Sequence, residues 1–253
     1  MAEATNQAAR QMLMALYEAA YSTAHPKVCL PAHLPRVPEG GRIIIIGAGK
    51  GTAAMAVAAE THYIATGQQD TVSGLISTRH GFGLPTRIIK IIEAGHPVPD
   101  ANSIEGAKQA IAYAKTAGPN DLVLCLLSGG ASALWAAPVE GVTFETKQQL
   151  TKQLLKSGAP ISEMNCVRKH LSQIKGGKLA AAAYPARLLT LAISDVPGDH
   201  PDEIGSGPTV ADRSTLADAR NVLTRWKITP APEIAAALAS PANETLKPGD
   251  PKL

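Results

Sequence analysis

A chain of 253 residues, 45% hydrophobic and 18% charged, can bury a sizeable core as one large domain or one domain with a small appendage. Its net charge of +3 is small and its basic residues are scattered, which argues against a nucleic-acid partner. No apolar run approaches the roughly 18 residues needed to cross a bilayer, and Cys29, Cys125 and Cys166 stand in no disulfide or zinc spacing, so a cytoplasmic protein with no membrane partner is expected.

In chain order, Ala9, Met12, Leu13, Leu16 and Ala20 share a helical face with Glu3, Arg10 and Glu18 between them, which predicts a helix and not a signal peptide. Prolines 26, 31, 35 and 38 mark a connector leading to a strand at 42–46. A helix at 52–66, strands at 71–77 and 87–92, a helix at 102–116 and a strand at 121–127 follow. Beyond Ser128-Gly129-Gly130 the pattern predicts a short helix, then helices at 143–157 and 162–183, the latter broken near Gly176-Gly177. A strand at 188–193 and helices at 214–226 and 233–238 complete the pattern. Alternation of strands and helices, with strands too apolar for one-sided sheets, predicts a three-layer α/β/α, Rossmann-like domain with a mainly parallel sheet over residues 1–240. Residues 241–253 have the composition of a linker, and a further domain beyond them is expected.

Ligands of open α/β sheets bind outside the carboxyl ends of the strands, so three polar loops stand out. The first, Gly47-Ala48-Gly49-Lys50-Gly51, delivers a cation to a helix N-terminus, where unpaired N–H groups favour an anion, most plausibly phosphate. It is not a Walker loop. As a dinucleotide fingerprint it is weak, because Thr52 holds the last position and the next strand ends in Ser77-Thr78-Arg79 without an acid for a ribose. A tight turn with an exposed lysine is the ordinary alternative. The second loop, Ser128-Gly129-Gly130-Ala131-Ser132, combines backbone donors with hydroxyls, although Ser132 also suits a helix cap. The third, Ser194-Asp195-Val196-Pro197-Gly198-Asp199, carries two carboxylates able to hold magnesium or orient a hydroxyl, or to make a surface turn. On a helix Arg168 and Lys175 would share a face, as a clamp for an anion or as a solvated basic surface, while His96 and His170 read as structural. Cation, donor nest and paired carboxylates are the parts that phosphoryl transfer needs.

Gly47-Ala48-Gly49-Lys50, Gly95-His96-Pro97-Val98-Pro99-Asp100, Leu127-Ser128-Gly129-Gly130-Ala131-Ser132, Asn165-Cys166-Val167-Arg168-Lys169-His170-Leu171-Ser172 with Lys175-Gly176-Gly177, and Ser194-Asp195-Val196-Pro197-Gly198-Asp199 occur in an order that resembles the class II glycerate 2-kinases. Many of that family carry the older label hydroxypyruvate reductase. The resemblance implies phosphorylation of D-glycerate at its 2-hydroxyl with ATP and Mg2+. It makes Lys50 the catalytic cation and Asp195 a metal ligand or activator of the hydroxyl. It puts Gly47, Gly49, Ser128, Gly129, Gly130 and Ser132 on the nucleotide, and Arg168, Lys169 and Asp199 on the substrate. It further implies a second domain that closes the cleft and supplies an arginine, so residues 1–253 alone are expected to turn over little; a homodimer is compatible. An NAD(P)H-dependent hydroxypyruvate reductase, with Arg79 available to a 2'-phosphate, and a non-catalytic ligand-binding domain are the competing readings.

Overall fold

The structure is a computed structural model that describes residues 2–253. In chain order its elements are α1 (Ala2–Ala24), α2 (Pro26–Cys29), β1 (Ile43–Ala48), α3 (Thr52–Ala65), β2 (Val72–Arg79), β3 (Ile89–Ala94), α4 (Ala101–Lys115), β4 (Leu122–Ser128), α5 (Ala131–Leu134), α6 (Phe144–Ser157), α7 (Ile161–His170), α8 (Lys178–Ala183), β5 (Arg187–Ile193), α9 (Leu216–Arg225) and α10 (Pro232–Ala239). The five strands pair in parallel in the order β3-β2-β1-β4-β5. Chain direction across the sheet reverses between β1 and β4, which puts the natural ligand crevice outside the carboxyl ends of those two strands.

The four isoleucines of β1 explain the layering, since successive side chains of a strand point to opposite faces. Ile43 and Ile45 enter a core with Ala53, Met55, Ala56, Ala59 and Tyr63 of α3. Ile44 and Ile46 enter another, with Ala107, Ala110 and Ala114 of α4 and Leu179 and Ala183 of α8. Alanines on these helices let them sit close to the sheet, and Asp100 fixes the start of α4 through a capping box with Ser103. A separate core joins α6, α7, α9 and α10 through Leu150, Leu154, Met164, Val167, Leu223 and Ile234. This helical lobe flanks the carboxyl end of β4.

The predicted α/β architecture is therefore observed, with three local differences. The break expected near Gly176-Gly177 within the helical stretch 162–183 is present but wider: α7 stops at His170 and α8 begins at Lys178, with Gly176 and Gly177 at φ of +60° and +80°, values a helix cannot continue through. The apolar face expected on α1 is not covered: Met12, Leu13, Leu16 and Tyr17 are exposed. Residues 241–253, linker-like in composition, lie against the body, with Leu246 N–H donating to Gly176 O (3.1 Å), Asp212 N–H to Leu246 O (2.8 Å) and Thr245 buried.

Candidate functional site

The first loop is built by close approach. Gly49 (φ +148°) lies so near β4 that a Cβ there would stand 2.0 Å from Ser128 Oγ, so only glycine fits. Lys50 N–H donates to Gly129 O (2.8 Å), Gly49 N–H to Ser77 O (3.1 Å) and Gly51 N–H to Ser128 Oγ (2.9 Å), which also bonds Thr52 Oγ1 (3.0 Å). These bonds fix the backbone at Lys50. Its Nζ comes to 3.4 Å from Asp195 Oδ2, bringing the first and third loops together across the second. Gly129 lies beneath this pair: a Cβ there would be 2.1 Å from Asp195 Oδ2. At Gly130 (φ +89°) the space is taken by the His96 ring and the Lys50 stem. Burial lowers the pKa of His96, and the charges of Lys50 and Arg79 lower it further against the pull of Asp195, so the imidazole is neutral at pH 7.

A cavity of about 290 Å³ opens here, lined among others by His96, Gly129, Gly130, Ser132, Arg168, Asp195, Glu203 and Ser206. Its chemistry has two poles. One is the half-exposed Lys50–Asp195 pair, able to neutralise charge developing on a transferred group and to accept a proton or hold one position on a metal ion. The other is Ser132 Oγ, which accepts from Arg168 Nη2 (2.8 Å) and Lys175 Nζ (2.8 Å). Arg168 Nη1 also reaches Asn165 Oδ1 (3.4 Å). Among the described residues no cluster of three or more Asp, Glu, His or Cys side chains could cage a metal ion; the carboxylates lining the cleft are Asp195 and Glu203.

Of the residues singled out from sequence, Lys50, Gly49, Gly129, Gly130, Ser132, Arg168 and Asp195 gather at this cleft. Gly47 is inside β1, where a Cβ would be 2.4 Å from Leu126 O, so it serves the strand contact. Ser128 lines the cleft, but its hydroxyl is committed to Gly51 and Thr52 and shapes the first loop. Lys169 diverges from Arg168, as neighbours on a helix must, and its buried Nζ meets Asp212 Oδ1 (3.2 Å) and Asp202 Oδ2 (3.8 Å). Asp199 (φ +51°) lines a different cavity, beside Thr190, Ala192 and Thr209 at the β5 edge. Glu203 and Ser206, brought in by the returning loop after β5, also line the cleft, and no motif named above marks Glu203. Lys175 does meet Arg168, but from the irregular loop and not from a shared helix face.

Known proteins resemble this chain over most of its length. Residues 12–239 match a family model described as a domain of unknown function, DUF4147. A provisionally named hydroxypyruvate reductase of Agrobacterium vitis is 49% identical over 242 residues, 96% of this chain and 54% of that protein. A D-glycerate 2-kinase of Thermotoga maritima is 45% identical over 188 residues, 74% of this chain and 44% of that protein. The crystal structure of a glycerate kinase from Thermotoga maritima superposes with a TM-score of 0.84 at 38% identity, covering 95% of this chain and 56% of that one. The chain thus spans about half the length of the relatives it matches. No helix among the described residues is long and apolar enough to cross a membrane.

Proposed function

This chain belongs to the DUF4147 family and corresponds to the N-terminal domain of the glycerate 2-kinases, and from that premise we propose that it forms one wall of a kinase site that phosphorylates D-glycerate at its 2-hydroxyl with ATP and Mg2+. The observation that carries the reading is the meeting of Lys50 and Asp195 at 3.4 Å over the Gly129-Gly130 backbone, at the point where strand order reverses. Lys50 neutralises charge on the transferred phosphoryl group, and the Gly129-Gly130 loop and the N-terminus of α3 face the phosphates. Asp195 accepts the proton of the attacking hydroxyl or takes one position on magnesium, an ion that commonly needs one or two carboxylates and completes its shell with phosphate oxygens and water. The remaining wall comes from a second domain, and the 253 residues alone turn over little.

The test is ADP release by the intact protein containing this chain, supplied with D-glycerate, ATP and magnesium, beside hydroxypyruvate with NADH or NADPH. Lys50→Ala is expected to lower kcat by about 100-fold or more with the fold intact. Nicotinamide oxidation without ADP formation would replace the kinase by the reductase that the Agrobacterium relative's name suggests. The absence of an acid at the end of β2, where Ser77, Thr78 and Arg79 stand, favours the kinase.

A further inference from the structure

The Ser132 pole continues away from Lys50 into a second cavity, of about 270 Å³, between the segment after β3, α6 and α7. Ser132 and Arg168 line both cavities, so they form the boundary between them. With Arg168 and Lys175 both donating to Ser132 Oγ, its lone pairs are filled and its proton goes to Ser206 Oγ at 2.9 Å. Lys175 Nζ reaches in addition only Ser132 O (2.9 Å), and Lys147 Nζ only Leu171 O (2.7 Å).

Among the described residues none of Lys147, Arg168 and Lys175, all of which line the second cavity, has a carboxylate within ion-pair distance, and the lining contains no Asp or Glu. The charges nearest Lys175, which is almost wholly buried, are those of Arg168, Lys147 and Lys169. Burying like charges together without a counter-ion is costly, and an anion relieves it. Trp135, 2% exposed, contributes to the lining of the same cavity. Three basic side chains without a carboxylate, walled by Phe144, Ile161 and Met164, call for a ligand that brings oxygen acceptors and negative charge.

We propose that this second cavity is an oxyanion site that takes the carboxylate of a small organic acid on Arg168 and Lys175, with Lys147 as a positioning residue behind them. The identity of the acid rests on the kinase reading: a hydroxy acid held here by its carboxylate extends past Ser132 toward the cleft of Lys50 and Asp195.

Calorimetric titration of the 253-residue protein with D-glycerate, glycerol and inorganic phosphate, without ATP, tests it. D-glycerate is expected to bind saturably and glycerol not at all, with Lys175→Met and Lys147→Met each weakening the acid by about tenfold or more. Lys175→Met removes an amine whose charged form burial and the neighbouring cations disfavour, so its melting temperature without ligand should match or exceed that of the wild type while the ligand-induced rise disappears. If that variant does not fold, the half-buried Lys147 carries the same comparison. Glycerate affinity unchanged in the Met variants overturns the site, and phosphate displacing glycerate at lower concentration overturns the carboxylate assignment. Intact protein that binds glycerate through these residues but makes no ADP sinks the kinase reading alone; ADP formation with KM for glycerate unchanged in Lys175→Met sinks this site alone.

Discussion

Lys169 and Lys175 are six positions apart, of the same residue type and almost equally buried at 5% and 2% exposure, yet their surroundings are opposite. Lys169 lies between Asp212 and Asp202. The Asp212 carboxyl, which burial would raise, is instead lowered by the Lys169 charge and by hydrogen bonds from Ser214 and Lys169. Lys175 finds a hydroxyl, a carbonyl and other cations. The first charge is neutralised within the fold and pins the segment after β5 to α7; the second is left for something the fold does not itself contain. Burial alone does not distinguish a structural lysine from a binding one. The partner does.

The comparison breaks most visibly by removing each ammonium in turn. Lys169→Met is expected to cost about 3–5 kcal/mol of unfolding free energy, because Asp212 would remain buried without its counter-charge. Urea unfolding measures this, and a loss of equal size in Lys175→Met would end the distinction. A smaller effect belongs to Glu244, which joins the 241–253 segment to the lobe by accepting from His170 Nε2 (2.8 Å), Leu216 N–H (3.1 Å) and Thr245 N–H (3.0 Å). Glu244→Gln should cost about 1–2 kcal/mol. Burial works to raise the Glu244 pKa, but hydrogen bonds from Lys247, Leu216, Thr245 and His170 outweigh it and hold the carboxyl at about 2. A depressed carboxyl stabilises the fold above its unfolded pKa, and that contribution disappears as pH falls toward the folded value. Wild-type stability should therefore fall more steeply than that of Glu244→Gln between about pH 5 and pH 2, as chemical denaturation across that range would show; parallel curves would remove Glu244 from the account. The smallest expected change in stability is that of Lys50→Ala, below about 1 kcal/mol, since its pair with Asp195 is open to solvent. A large loss would mean that Lys50 holds the fold together and is not kept for chemistry.

What could be read in the sequence followed local periodicity. Four consecutive isoleucines can be satisfied only by a strand covered on both faces, and β1 is such a strand. The glycines at 49, 129 and 130 marked the two loops that the structure brings together, because close backbone approach needs residues without Cβ. Side-chain direction was not legible. Helical spacing put Arg168 and Lys175 on one face, and they do converge, but through a loop bent by Gly176 and Gly177. The family resemblance put Lys169 on the substrate with Arg168, whereas its Nζ meets Asp212, 43 residues later. Glu203 and Lys147 reach the two cavities only through the tertiary path of the β5 return and of α6, which no local pattern encodes.

The Ser128 hydroxyl has a consequence for inheritance. It holds Gly51 and Thr52 while the backbone beside it leaves no room at position 49 for any side chain. Two loops 76 residues apart are thus one part, and neither can drift by itself. A lineage that altered position 128 would misplace Lys50 before its substrate preference could change, so descendants of this fold are expected to diversify along the cavity walls of α6 and α7 while the loop pair stays as it is.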